Sequence, residues 1–164
     1  MLSMQISKVS KYIKETATFG LLASLVLLQG CVKMILPTSE SELISKSIGK
    51  GGSIDVPLGY VDAYANLKQA YLRCEQVKTA NSYVLVDANL DREKNLAIFF
   101  GKAPYDTYLF KTTITPSDAN NSKLTLHLMK AQLLTEKANQ NLLQKRLERD
   151  RLRALGQDTK CNKD

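Results

Sequence analysis

One histidine, His127, sets the first limit on the chemistry this chain can do. A Ser-His-Asp or Cys-His nucleophile would have to use it. It lies between Leu126 and Leu128 in a stretch that alternates apolar and polar residues, so a strand residue facing away from the leucines is the simpler reading. One histidine cannot build a histidine metal cluster, and no spacing of cysteines or carboxylates replaces it, so no metal or other cofactor is expected. Asp87, Asp91 and Glu93 flank a charged turn that also holds Arg92 and Lys94. Paired carboxylates can act as acid and base in glycan cleavage, which makes the 87–93 turn the candidate catalytic segment. A solvated turn, or part of a protein-binding edge, is the alternative. Lys145, Arg146, Arg149, Arg151 and Arg153 set five cations against Glu148 and Asp150. Arg146, Arg149 and Arg153 fall at i, i+3 and i+7 and share one helix face. With Lys145 they form the candidate contact for an anionic surface or an acidic partner. Local helix pairs and the helix dipole give the competing, purely structural account of the same charges. Tyr60, Tyr64 and Tyr71 could stack on sugars, although rings at helical spacing more often pack in a core. Gly49-Lys50-Gly51-Gly52 has no strand-turn-helix context and is not a phosphate loop.

The elements that must position these residues follow from periodicity. Tyr60, Tyr64, Leu67, Tyr71 and Cys74 mark one face of a helix over 58–76, and Val61, Ala65 and Leu72 widen the stripe. Four strands follow. They are 82–88, 96–100, 107–115 (with Tyr108, Phe110, Thr112 and Ile114 on one face) and a fourth, in which Leu124, Leu126 and Leu128 alternate with Thr125, His127 and Met129. Short connections favour an antiparallel meander. Thr115-Pro116-Ser117-Asp118 also resembles a helix start, but Asn120, Asn121, Ser122 and Thr125 are poor helix formers. Residues 130–155 are free of Pro and Gly and form a long helix, with Ala131, Leu134, Ala138, Leu142, Leu143 and Leu147 as its apolar stripe and Gly156 as its stop. The fold class is therefore α+β. It comprises a helix, a four-stranded antiparallel sheet and a long C-terminal helix, in a single domain over 57–164. Residues 31–56, punctuated by Pro37, Gly49, Gly51 and Gly52, read as a flexible tether, with a short helix in ESELISKSI as an option.

The N-terminus supplies an address. Lys8, Lys11 and Lys14 form a basic region ahead of the ten apolar residues Phe19 to Leu28. That run suits a secretory signal and falls short of the roughly 20 residues that span a bilayer. It ends in Leu28-Gln29-Gly30-Cys31, which resembles a bacterial lipobox, with Gln29 departing from the usual Ala, Ser or Thr. The resemblance covers residues 1–31. It implies removal of 1–30 as a signal peptide, acylation of Cys31 with chains such as palmitate, and a membrane anchor. In that family, Val32 rather than Asp after the cysteine implies the outer membrane, with the domain in the periplasm or at the cell surface.

Loss of 1–30 takes Lys8, Lys11, Lys14 and Glu15 with it, so the net charge falls from +7 to +5. That favours contact with anionic headgroups or acidic proteins and is too modest to imply nucleic acid. With Cys31 acylated, Cys74 and Cys161 remain, and an oxidising compartment predicts one disulfide between them. Two free thiols or an intermolecular bridge are the alternatives. Two functions are expected from these features. The first is a non-enzymatic, lipid-anchored binding or assembly module of the cell envelope, with a protein or cell-wall partner. The alternative is a cell-wall glycan hydrolase using the 87–93 turn.

Overall fold

A computed structural model describes residues 36–158, 160 and 161. The segment expected to be a signal peptide and lipobox, with Cys31, lies outside the described residues. From Pro37 onward the chain forms one compact unit. In chain order it contains α1 (Glu40–Lys46), a 3-10 turn (Ile48–Lys50), β1 (Gly52–Val56), α2 (Tyr60–Cys74), β2 (Val77–Lys78), β3 (Tyr83–Asp91), β4 (Leu96–Ala103), β5 (Thr107–Pro116), β6 (Ser122–Leu128) and α3 (Glu136–Ala154). The fold is α+β, and the sheet has six antiparallel strands rather than four, in the order β1-β6-β5-β4-β3-β2.

The two extra strands come from segments whose sequence does not look like sheet. β2 is two residues long and closes a hairpin onto Tyr83 and Val84. β1 lies in the stretch read as a tether. Its glycines signalled flexibility, yet Gly52 is needed where the Leu147 and Leu143 side chains pack against the backbone. β1 pairs with β6 from Gly52↔Leu126 to Val56↔Ser122. The tether assigned to 31–56 is thus corrected over 37–56. Leu43 and Ile48 are fully buried there, and no chain gives up such burial to remain flexible. α1 is a real helix with a local reason to start. Ser39 caps the Glu42 N–H, and the Glu42 carboxylate reaches back to the Thr38 N–H at 2.8 Å.

Two helices cover one face of the sheet. α2 buries Ala63, Leu67, Ala70 and Tyr71, while Leu72, placed on the apolar stripe by sequence, is exposed. α3 buries Leu143, Leu147 and Ala154, but also Asn139, Asp150 and Arg153. Leu134 and Leu142 face out. α3 begins six residues later than expected. The Asn139 side chain is fully buried and clasps the preceding loop, bonding to Ala131 N–H and to the carbonyls of Ala131, Leu134 and Thr135. Thr135 then caps the Ala138 N–H.

α1 lies on the opposite face. Phe110 and Thr112 touch Tyr71 of α2, whereas Lys111, between them, pairs with Glu40 of α1. Alternation along the strand therefore separates the two helix layers. A bulge between β4 and β5 breaks that alternation, because Gly101 opposes Phe110 while Lys102 opposes Tyr108. Tyr108 consequently leaves the Phe110 face and meets the Phe100 ring edge-on at 5.5 Å. The Phe110 ring lies directly over Gly101, where any side chain would collide with it.

Candidate functional site

The basic cluster of α3 is not an open cationic face. Arg146 and Arg153 point into the interface with α2. Their side chains are only 13% and 2% exposed. Arg146 Nε reaches both Asp150 carboxylate oxygens at 3.1 Å, and Nη1 reaches Glu75 Oε2 at 2.8 Å. The other Glu75 oxygen takes Arg153 Nη1 at 2.6 Å, and Arg153 Nε holds Asp158 at 2.9 Å. The Arg146 guanidinium also lies over the Tyr71 and Phe110 rings. Beneath it, the Tyr71 hydroxyl donates to Asp150 and contacts Thr112 Oγ1 at 2.8 Å. Burial, then the Asp150 charge, push the Tyr71 phenol well above its ordinary pKa. Burial also raises the Glu75 carboxyl, but the arginines outweigh it and hold its pKa below the usual value. Arg146 and Arg153 are thus withdrawn from the candidate anion contact. Their charge is already matched by Asp150, Glu75 and Asp158. Lys145 stays exposed and Arg149 is half-buried.

Cys74 and Cys161 form a disulfide beside this network. It fixes the C-terminal tail against the end of α2, where Asp158 meets Arg153 and the Asp158 carbonyl accepts from Arg73.

Asp87 and Asp91 of the acidic turn do not converge either. Asp87 is on β3 and pairs with Lys102 at 2.8 Å. Asp91 caps the Lys94 N–H and pairs with the Lys94 ammonium, which together hold its carboxyl below the ordinary range. Four residue steps of strand separate the two, roughly 13 Å. Glycosidase pairs sit about 5 to 10 Å apart. His127 contacts Ser47 Oγ at 3.5 Å, but that hydroxyl already donates to the Ile44 carbonyl. Burial and the nearby Lys111 lower the His127 pKa, against a smaller opposing pull from Glu40. The three tyrosines of α2 serve packing: Tyr71 is fully buried, and Tyr64 stacks on Phe99 at 5.2 Å.

The protein-binding edge offered as an alternative for the 87–93 turn has a structural counterpart in β3, over a stretch the sequence did not delimit. β3 runs for nine residues, but β2 covers it only at Tyr83 and Val84. Among the described residues, no strand lies beyond 85–91 on that side. In a strand, alternate residues turn their N–H and C=O outward, so this stretch offers a ladder of backbone partners. Beside it runs a groove of about 390 Å³ lined by Lys68 and Leu72 of α2, and by Asp87, Ala88, Ile98 and Phe100 of the sheet. Leu72 in that lining is 43% exposed, and Leu85, on the uncovered stretch of β3 itself, is 47% exposed. The signal in the sequence is faint: a charged turn marks only the end of β3, and nothing marks its outer side as open.

No family model matches the chain, and no curated protein matches it. Among solved structures it is similar to the protein XoxI from Bacillus cereus, at 12% identity and a TM-score of 0.38, over 65% of this chain and 92% of that one. A likeness at that level carries no argument about function.

Proposed function

We propose that this chain is a lipid-anchored protein of the bacterial envelope whose domain binds a partner rather than turning over a substrate. The anchor rests on Leu28-Gln29-Gly30-Cys31. The outer membrane and the periplasmic placement rest on the same resemblance. No helix among the described residues is long and apolar enough to cross a membrane, so acyl chains on Cys31 would carry the attachment.

The observation that carries the binding reading is the uncovered β3 edge over 85–91 beside its groove. Its occupant is an extended segment of another envelope protein, added as a further strand. Backbone hydrogen bonds would supply affinity along roughly 23 Å of edge. Side chains facing Leu72 and Leu85 would supply preference. Lys68 rims the groove, and Asp87 is already neutralised by Lys102, so acidic residues on the incoming segment are favoured. The glycan hydrolase reading has less support, because the groove takes in Asp87 without Asp91 or Glu93.

The test is site-specific photocrosslinking in intact cells from Leu85, with Ser53 on β1 as the comparison. Leu85 should capture one protein through an acidic, extended segment. Leu72→Asp with Leu85→Asp should weaken that capture by about tenfold or more, since each buried leucine contact is worth roughly 1.5 to 3 kcal/mol. Both side chains are exposed, so the fold should survive. Equal capture from Leu85 and Ser53, or capture unchanged in the folded double variant, rules the edge out.

A further inference from the structure

We infer that the β4–β5 turn, led by Tyr105, inserts into the headgroup layer of the membrane that holds the acylated Cys31. The inference rests on the anchor reading above and adds a second, non-covalent membrane contact. Three observations support it.

The first is the length of the tether, which is not the long linker expected from sequence. Pro37 already belongs to the fold, where its carbonyl accepts from the Tyr108 N–H at 2.9 Å. Six residue steps separate Cys31 from Pro37, which limits the reach to about 20 Å even when fully extended. The domain therefore cannot stand far off the bilayer.

The second is the end of the sheet at which the chain enters the fold. Tyr108 is three residues from Tyr105, so the two lie within roughly 10 Å. The point where the chain enters the fold and the β4–β5 turn thus share one end of the sheet. The β5–β6 turn at Asp118–Asn121 lies at the other end of β5, ten residues and roughly 33 Å away.

The third is Tyr105 itself. Its side chain is 88% exposed. Its backbone is left-handed, with φ 62, and is followed by Asp106 with φ 55. Asp tolerates that region, but a bulky ring does not favour it, and turns of this kind prefer Asn or Gly. Strain in a residue that packs on nothing points to a role outside the fold. Tyrosine is the residue type that settles at membrane–water boundaries, ring among the upper acyl chains and hydroxyl in the headgroups. The neighbouring Lys102 is engaged by Asp87, so the contact is aromatic rather than cationic. Lys33, in the six-residue link, adds attraction to anionic headgroups.

The chain contains no tryptophan, which makes the test direct. Tyr105→Trp and, separately, Asn120→Trp are introduced into the full chain, which is processed in bacteria and reconstituted into vesicles carrying lipids brominated near the top of the acyl chain. Both positions are exposed, and aromatic-for-aromatic replacement at 105 keeps the turn. Acylation of Cys31 is read by palmitate incorporation on the same samples. The expected result is acylated protein in which the Tyr105→Trp variant loses about half of its indole emission to the brominated lipid, as befits an interfacial ring, while the Asn120→Trp variant loses none. Acylated protein with the Tyr105→Trp variant unquenched, or with both variants quenched alike, overturns the membrane contact and leaves the anchor standing. Absence of palmitate overturns the anchor and this inference with it.

Discussion

The Tyr71 hydroxyl donates to Asp150 Oδ2 at 2.6 Å, inside the interface between α2 and α3. Both residues are fully buried. Tyr71→Phe removes the donor and keeps the ring. Asp150 then relies on the arginines alone, and Thr112 loses its partner. A lost buried hydrogen bond to a charged group costs about 1.5 to 3 kcal/mol. The urea midpoint should fall with an unchanged slope. A midpoint equal to wild type would mean that the hydroxyl is not structural.

Arg153→Met should cost about 3 to 5 kcal/mol, because it leaves Asp158 without its arginine and Glu75 with one partner instead of two. Arg146→Met should be similar, with loss of ring packing added. Lys145→Glu, at an exposed position of the same helix, should fall within about 0.5 kcal/mol of wild type. Chemical denaturation of the three variants gives the comparison. If Lys145→Glu proves as damaging as Arg153→Met, burial is not what sets these costs.

The network also dictates a response to acid. The folded-state pKa of Glu75 is depressed, so its contribution is fully present above the unfolded value of about 4.3 and is lost as pH falls through the lower folded value. His127 acts in the same direction at higher pH. Its folded pKa is also lowered, so stability declines as pH drops below about 6.5. Stability measured against pH should therefore fall in two steps. Asp91 and other carboxylates held low add to the lower step, so Glu75→Gln should reduce it and His127→Gln should remove the upper one. A single step, untouched by either variant, would contradict both assignments.

How far the sequence foretold this molecule depends on what each residue's signal encodes. The helical stripe through Leu67 and Tyr71 and the alternation of Leu124 and Leu126 report burial directly, and those elements stand where periodicity put them. Arg146 and Arg153 mislead because spacing on a helix says which residues share a face, not which face is buried. Their partner Glu75 is more than seventy residues away, and no local pattern announces it. Tyr108 misleads because a bulge changes the phase of a strand without changing its composition. β1 hides because glycines that admit close packing look the same as glycines that confer flexibility. The open edge of β3 is a property of what does not pair with it, which no single strand's sequence records.

The Cys74–Cys161 bridge closes a separation of 87 residues. The chain-entropy account assigns about 4 to 5 kcal/mol to a loop of that size, lost when Cys74→Ser and Cys161→Ser are combined. The bridge does more than shorten the unfolded chain, because it delivers Asp158 to Arg153. In the oxidised protein the tail is held in place, so Asp158→Asn should cost the full charge-assisted bond, about 1.5 to 3 kcal/mol. Without the bridge, the tail must be ordered by that ion pair alone. Chain entropy then opposes the pair at about 1 to 2 kcal/mol for each residue fixed. Asp158→Asn should therefore cost much less in the bridge-free background. A double-mutant cycle measured by urea denaturation should give a coupling above about 0.5 kcal/mol. If the cost of Asp158→Asn is the same with and without the bridge, the tail is positioned by its own packing, and the disulfide acts only on the unfolded chain.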